Sequence, residues 1–226
     1  MIADFYWGVP PKDLCETTSF QMNGNKKRKM SEIVNNNQKN YQIYDPLIYT
    51  FGKEVHFSAG IDKLTIEIII KHISAIIHAF AKDYESRDEE LEITLVLDSP
   101  GGSVLSVLKY VDFIRLTKIK HPTIKFKSVI SGIAASACTI MACVADTRLM
   151  TTNATAMIHD LSGGNNGTYT QMMSQVEFIK HLNDSLVNIY VKNCKKTKEE
   201  LVELLKTNKW FNANQYLEYG FIDAIV

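Results

Sequence analysis

Apolar residues recur along the chain in two alternating patterns, one typical of helices and the other of buried strands. Between residues 61 and 82 the apolar positions follow a period close to 3.6 residues, which predicts an amphipathic helix. The apolar run 91–97 predicts a buried strand, and a second strand is predicted over 123–130. The same patterns predict further helices over 103–118, 134–144, 170–193, 197–206 and 212–219, with short strands over 54–57, 148–150 and 156–159 and a closing strand. Strands that alternate with helices favour an α/β fold with a mainly parallel sheet.

The first 45 residues differ from the rest of the chain. They include the basic run 26–29 and the asparagine run 35–37, and they offer little apolar surface to bury. The basic run is typical of a solvated loop, although a nuclear signal or a phosphate-binding patch has the same composition. We therefore expect residues 1–45 to be a partly mobile extension and residues 46–226 to form the folded domain.

Composition narrows the possible environments and partners. In 226 residues, 46% are hydrophobic, and 25 basic residues balance 25 acidic ones. A net charge of zero gives no overall field to attract nucleic acid or an anionic membrane. The four cysteines show no paired spacing and are typical of free thiols in a reducing compartment. No secretory signal, uninterrupted membrane span or metal-ligand spacing is present, so we expect a cytoplasmic protein with no bound metal and no nucleic-acid or membrane partner.

Small residues cluster at the ends of two predicted strands. Asp98, Ser99 and Pro100 precede the pair Gly101–Gly102, and consecutive glycines before a helix leave backbone N–H groups free to bind an anion or an oxyanion. A plain tight turn has the same sequence. The segment 131–137 is also built of small residues, which would present the Ser136 hydroxyl as a nucleophile at the start of a helix. Close packing of a helix on a sheet explains that segment equally well.

A histidine follows a third apolar strand. His159 ends the predicted strand 156–159, where an imidazole can serve as a general base near neutral pH. The other histidines lie on predicted helices, in a strand or before a proline, and their spacing fits no metal site.

In this order, the segments 98–102, 132–136 and 157–159 resemble the proteolytic subunit of Clp protease. The segment 57–60 and the C-terminal stretch 210–223 are similar to the same family, so the resemblance extends over about residues 41–226. It implies a ClpP/crotonase-like α/β fold of repeated ββα units with a mainly parallel sheet and a protruding handle helix. That helix would be the one after Gly167, which interlocks two heptameric rings in the family.

The resemblance also implies roles for individual residues. Ser136 would be the nucleophile and His159 the base, while the backbone N–H groups of Gly102 and Ala137 would form the oxyanion hole. The segment 161–167 would bind the peptide backbone of the substrate, and Leu161, Gly163 and Gly164 are the residues that we assign to this role.

The chain departs from the family pattern near its C-terminus. Asn208 stands where the family usually has the aspartate that completes the catalytic triad, and Thr207 replaces the preceding arginine of the ring contacts. An asparagine can orient an imidazole but brings no charge to stabilise the imidazolium. Asp160, adjacent to His159, is the alternative carboxylate.

By resemblance we expect a self-compartmentalising serine endopeptidase that cleaves unfolded polypeptides within a heptamer or tetradecamer. The subunit itself would need no cofactor, and a partner AAA+ unfoldase would use ATP. Asn208 and Thr207 leave open a second interpretation, a non-catalytic or weakly active ring subunit that assembles with an active paralogue. A crotonase-like acyl-CoA enzyme and a Ser/Lys peptidase are further alternatives within the same superfamily.

Overall fold

A computed structural model describes residues 6–7, 47–83, 90–164 and 166–226. Apart from Tyr6–Trp7, the predicted N-terminal extension and its basic run therefore lie outside the described residues. The charged segment 83–90, which is typical of a loop, also falls largely outside them.

The described residues form strands and helices in near-regular alternation. The strands are β1 (Tyr6–Trp7), β2 (Ile48–Phe51), β3 (Glu54–Phe57), β4 (Leu91–Ser99), β5 (Gly102–Ser103), β6 (Ile124–Ala135), β7 (Thr147–Met150), β8 (Thr155–Ile158), β9 (Lys209–Asn212) and β10 (Ala224–Ile225). The helices are α1 (Lys63–Asp83), α2 (Val104–Lys120), α3 (Ala137–Cys143), α4 (Tyr169–Asn193), α5 (Lys198–Leu205) and α6 (Ala213–Glu218).

The central sheet has the strand order β10-β7-β6-β4-β3-β2. Neighbours from β3 to β10 along this order are parallel, and only the edge strand β2 is antiparallel to its partner. The long strand β6 carries a second branch, because its last residues pair with β8, which in turn pairs with β9 in antiparallel orientation. The prediction of an α/β fold with a mainly parallel sheet is confirmed.

Helices cover the sheet and supply the core. α1 buries Ile66, Ile69 and Ile73 completely, and all seven residues of α3 are buried. Within the described part of the chain, Lys63–Ala81 of α1 is also long and apolar enough to cross a membrane by length and composition alone. Because these three isoleucines are buried, one face of α1 packs in the protein core.

Two predicted features of the strand before Ser136 are wrong. The strand predicted over 123–130 continues through Gly132, and the helix predicted over 134–144 does not begin at Ala134, because β6 extends to Ala135 and α3 begins only at Ala137. The Asp98 carboxylate accepts a hydrogen bond from the N–H of Ile133 at 3.0 Å and occupies the space above Gly132. This contact from a neighbouring strand lets the chain pass through Gly132, whose φ is 105°, without leaving the sheet.

The burial prediction for α2 also needs one correction. The apolar spacing of the predicted helix 103–118 places Val104, Leu108, Val111 and Leu116 on its inward face. Val104 and Val111 are buried and Leu108 is partly buried, but Leu116 is 54% exposed. At about 100° per residue, Leu116 lies on the side of the helix opposite Val107 and Ile114, which both pack into the core.

Candidate active site

Ser136 occupies the sharp turn between β6 and α3. Its backbone has φ 58° and ψ −126°, a conformation that non-glycine residues rarely adopt and that costs on the order of 1–3 kcal/mol. The surrounding structure holds it there, since the Ser136 N–H donates to the Met157 carbonyl at 2.8 Å. A strained serine between a strand and a helix is the arrangement of a nucleophile elbow, here without the usual glycine spacing.

His159 lies directly beside this turn. Strand β8 runs parallel to the end of β6, so the residues that follow the two strands meet at the same edge of the sheet. The His159 Nε2 atom is 3.0 Å from the Ser136 Oγ atom. Ser136 is fully buried and His159 is 9% exposed, and burial lowers the pKa of His159 to about 4. At neutral pH the imidazole is therefore neutral and able to accept a proton.

The glycine pair packs against the serine turn. A Cβ atom added at Gly101 would lie 2.6 Å from the Ala135 carbonyl oxygen and 2.7 Å from the Ser136 Cβ, distances that real Cβ atoms essentially never show. Gly101 is thus the glycine of the pair that packs against Ser136, whereas the role predicted for Gly102 is to supply a backbone N–H group to the oxyanion hole. At Gly102 the added Cβ would instead meet the Ile61 carbonyl at 2.2 Å. Both glycines have positive φ, so both positions combine a steric and a conformational requirement for glycine.

Hydrogen bonds fix the orientation of this pair. The Ile61 N–H donates to the Gly101 carbonyl at 2.8 Å, and the Ser103 N–H donates to the Ile61 carbonyl at 2.7 Å. Because polar groups of successive residues in an extended chain alternate in direction, the N–H and C=O of Gly102 face the opposite side. Ser99 completes the support: its buried hydroxyl donates to the Ala59 carbonyl and accepts from the Gly101 N–H.

The side of Gly102 that faces away from Ile61 pairs with an extended strand. Strand β1 lies antiparallel to β5, with Trp7 opposite Gly102 and Tyr6 opposite Ser103. This edge next to the serine can therefore accept the backbone of an extended peptide.

The predicted peptide-binding residues lie in irregular structure between β8 and α4. Gly163 and Gly164 are exposed, while Leu161 is partly buried against the core. A Cβ at Gly164 would meet nothing within 4 Å, so this position is open.

Strand register locates Asn208, the residue predicted at the third triad position. Ile158 pairs with Lys209 in the antiparallel pair β8–β9, so His159 and Asn208 are the next residues of the two strands. Asn208 is exposed and has a φ of 48°, which ends the strand there. For Asp160, the alternative carboxylate, the backbone N–H donates to the Leu205 carbonyl at 3.0 Å, and the charges of Lys206 and Glu203 act on the carboxylate. Partial burial is the main cause that raises the pKa of Asp160 above its usual value.

Among the residues that the structure describes, no group of three or more His, Cys, Asp or Glu side chains is arranged to hold a metal ion. Two of the other histidines have local contacts. His56 stacks on Tyr49 and lies 3.3 Å from Glu54, and the His72 Nδ1 atom is 2.6 Å from the Thr50 hydroxyl.

Comparison with known proteins gives a consistent result. The sequence model of the Clp protease family matches residues 38–226. A protein of Streptococcus pneumoniae (strain P1031) called ATP-dependent Clp protease proteolytic subunit is 32% identical over 146 residues, which are 63% of this chain and 72% of that protein. A protein of the same description from Streptococcus sanguinis (strain SK36) is 34% identical over the same shares of the two chains. The family resemblance inferred from the sequence is confirmed, and the chain belongs to the Clp protease family.

Proposed function

We propose that this chain is a serine endopeptidase in which Ser136 is the nucleophile and His159 the general base. The observation that carries the proposal is the 3.0 Å contact between the Ser136 Oγ and the His159 Nε2 atoms. It lies at the upper end of the range expected for a nucleophile and its base. The lowered pKa of His159 keeps the imidazole neutral at neutral pH, so that it can accept the proton.

The reaction proceeds in two balanced stages. In the first, His159 takes the Ser136 hydroxyl proton as Oγ attacks the peptide carbonyl, and the leaving amine then carries that proton away as the C–N bond breaks. In the second, His159 takes a proton from water, the hydroxide attacks the acyl-enzyme, and the proton returns to Ser136 as the acid product leaves. The N–H groups of Gly102 and Ala137 would stabilise the oxyanion in both stages.

Extended, unfolded polypeptide is the substrate class that this site fits. The side of Gly102 that faces away from Ile61 pairs with the extended strand β1 in this structure. On the other side of the serine, Leu161, Gly163 and Gly164 would bind the substrate backbone, since two adjacent glycines leave the peptide groups accessible. Asn208 would orient the His159 ring from the neighbouring strand.

Assembly into a heptameric ring, or into a stacked pair of rings, is part of the proposal. The first half of α4 exposes an unusual set of large apolar side chains: Tyr169, Met172, Met173, Val176 and Phe178. Clustered exposed apolar residues mark interaction surfaces. The name of the two streptococcal relatives includes ATP dependence. By analogy, a partner AAA+ unfoldase would use ATP and deliver unfolded chains in the cytoplasm, and this subunit would need no cofactor.

Cleavage of fluorogenic peptides by the full chain tests the proposal. We expect Ser136→Ala and His159→Ala each to lower kcat/KM by at least about 1000-fold, because both groups act directly on the reacting atoms. Ser131→Ala is the matched control, since it removes a serine hydroxyl from the same strand five residues earlier and should leave the rate within twofold. Hydrolysis that survives Ser136→Ala would contradict the proposal, and a wild-type chain without hydrolysis would favour a non-catalytic ring subunit.

A further inference from the structure

We propose that Thr139 and Tyr190 are positioning residues that couple the orientation of Ser136 to helix α4. The inference rests on the proposed role of Ser136 as nucleophile. It concerns a chain of hydrogen bonds that begins at the Ser136 carbonyl.

The chain has a defined direction. The Thr139 hydroxyl donates to the Ser136 carbonyl at 2.6 Å, and the Thr139 Oγ1 atom lies 2.6 Å from the Tyr190 hydroxyl oxygen. A threonine hydroxyl has one hydrogen, which is used in the bond to Ser136, so the Tyr190 hydroxyl is the donor to Thr139. All three residues are fully buried, where such bonds reinforce one another and where an unmade bond is costly.

These bonds act on the strained residue itself. The Ser136 carbonyl also accepts the Thr139 N–H at 3.0 Å, and the Ser136 N–H is held by Met157. The peptide groups on both sides of the Cα atom are thereby fixed, which maintains φ 58° and ψ −126°. Without the Thr139 hydroxyl bond the turn has a route to relax, and the Oγ atom would move relative to His159.

Tyr190 links this turn to a distant surface. It lies in the buried second half of α4 with Leu186 and Val187, and its ring meets the edge of Phe221 at 5.9 Å between centroids. The same helix is about 37 Å long, and its first half carries the exposed apolar residues described above. A contact that tilts α4 by about 1 Å at Tyr190 would break a 2.6 Å hydrogen bond. Binding at the exposed half would thus be transmitted to Ser136.

Kinetics of hydroxyl-deletion variants test the coupling. We expect Tyr190→Phe to lower kcat by about 3- to 10-fold with KM unchanged, because a hydrogen bond that positions Ser136 is lost and no substrate contact is removed. Thr139→Val should lower kcat more than Tyr190→Phe does. Thr139→Ser keeps the hydroxyl, so its kcat should stay within threefold of the wild-type value. Adding Tyr190→Phe to Thr139→Val should have no further effect, since the chain is already broken.

Tyr110→Phe is the matched control, because Tyr110 is an equally buried tyrosine on α2. It should leave kcat unchanged. Equal effects of Tyr110→Phe and Tyr190→Phe on kcat, or additive effects of the two chain variants, would overturn the inference.

A second measurement separates this inference from the proposed function. Hydrogen–deuterium exchange of the peptide that covers residues 131–144 reports the order of the serine turn without any catalysis. Tyr190→Phe should accelerate its exchange, whereas Tyr110→Phe should not. A chain that hydrolyses nothing yet shows this difference would refute the proposed function and retain the coupling, and unchanged exchange in Tyr190→Phe would refute the coupling.

Discussion

The acid limb of the pH–rate profile gives a quantitative test of the His159 environment. Burial lowers the pKa of His159 to about 4, whereas an ordinary histidine titrates near 6.5. A general base must be neutral, so kcat/KM should fall only as the pH approaches 4. At pH 5.5 we expect more than about 90% of the neutral-pH value to remain, where an unperturbed histidine would retain roughly 10%.

Replacing Asn208, the neutral neighbour of His159, with aspartate should shift the acid limb of the pH–rate profile. Strand register places Asn208, the residue just before β9, next to His159. A negative charge about 5 Å away stabilises the imidazolium by up to about 3 kcal/mol at an effective dielectric constant of 20, and exposure of position 208 reduces this value. We expect Asn208→Asp to raise the His159 pKa by about one unit and kcat by about tenfold, which corresponds to about 1.4 kcal/mol.

The assay is kcat/KM for a fluorogenic peptide between pH 4 and 9 at constant ionic strength. Asn214→Asp, an exposed asparagine on α6, is the matched control and should shift nothing. An acid limb near pH 6.5 in the wild-type chain would refute the reasoning about burial. An unshifted limb in Asn208→Asp would refute the contact between residue 208 and the imidazole.

Stability should follow the same titration with a defined sign. Because the folded-state pKa of His159 is below its unfolded value, the unfolded chain binds the proton more readily between about pH 6.5 and 4. The contribution of His159 to the free energy of unfolding is at most about 3 kcal/mol. It is complete above pH 6.5 and is lost as the pH falls towards 4. A thermal melt at each pH therefore accompanies the rate measurements.

Three further predictions concern the surroundings of the site. Gly101→Ala should lower kcat by at least about 100-fold, measured with the same peptide, because its Cβ would meet the Ser136 Cβ at 2.7 Å; retained activity would contradict the packing. Val176→Asp, which places a charge on the exposed half of α4, should weaken the association of rings in sedimentation velocity, and an unchanged assembly would exclude this surface from the contact. Deletion of residues 1–7 should lower KM for peptides, because β1 pairs with the edge at Gly102 that the substrate would use. An unchanged or higher KM would show that β1 does not compete with the substrate.

Long periodic segments were predicted well from the sequence. The boundaries of α4 and α5 agree with the prediction to within one residue, because their hydrophobic period extends over many positions and both begin with a capping box. The buried strand β4 was equally clear. By contrast, β9 was missed, since its residues Lys209–Asn212 form a strand only through pairing with β8.

The parts of the site that sequence analysis missed depend on contacts between distant segments. The Asp98 carboxylate accepts a hydrogen bond from the Ile133 N–H, 35 residues away in sequence, and this bond keeps β6 continuous through Gly132. Tyr190 reaches Thr139 across 51 residues. Local propensity contains no information on either contact. Two consecutive glycines did signal a special backbone, but only the three-dimensional packing distinguishes Gly101, which contacts Ser136, from Gly102, which contacts Ile61.

Covalent labelling with a fluorophosphonate probe tests the central claim most directly, because the probe reacts with activated serine nucleophiles. After labelling of the full chain at neutral pH, peptide mapping by mass spectrometry should find a single adduct, on Ser136. His159→Ala should slow its formation by at least about 100-fold, because the general base is lost. An adduct on another serine, or labelling of Ser136 that is indifferent to His159→Ala, would contradict the account.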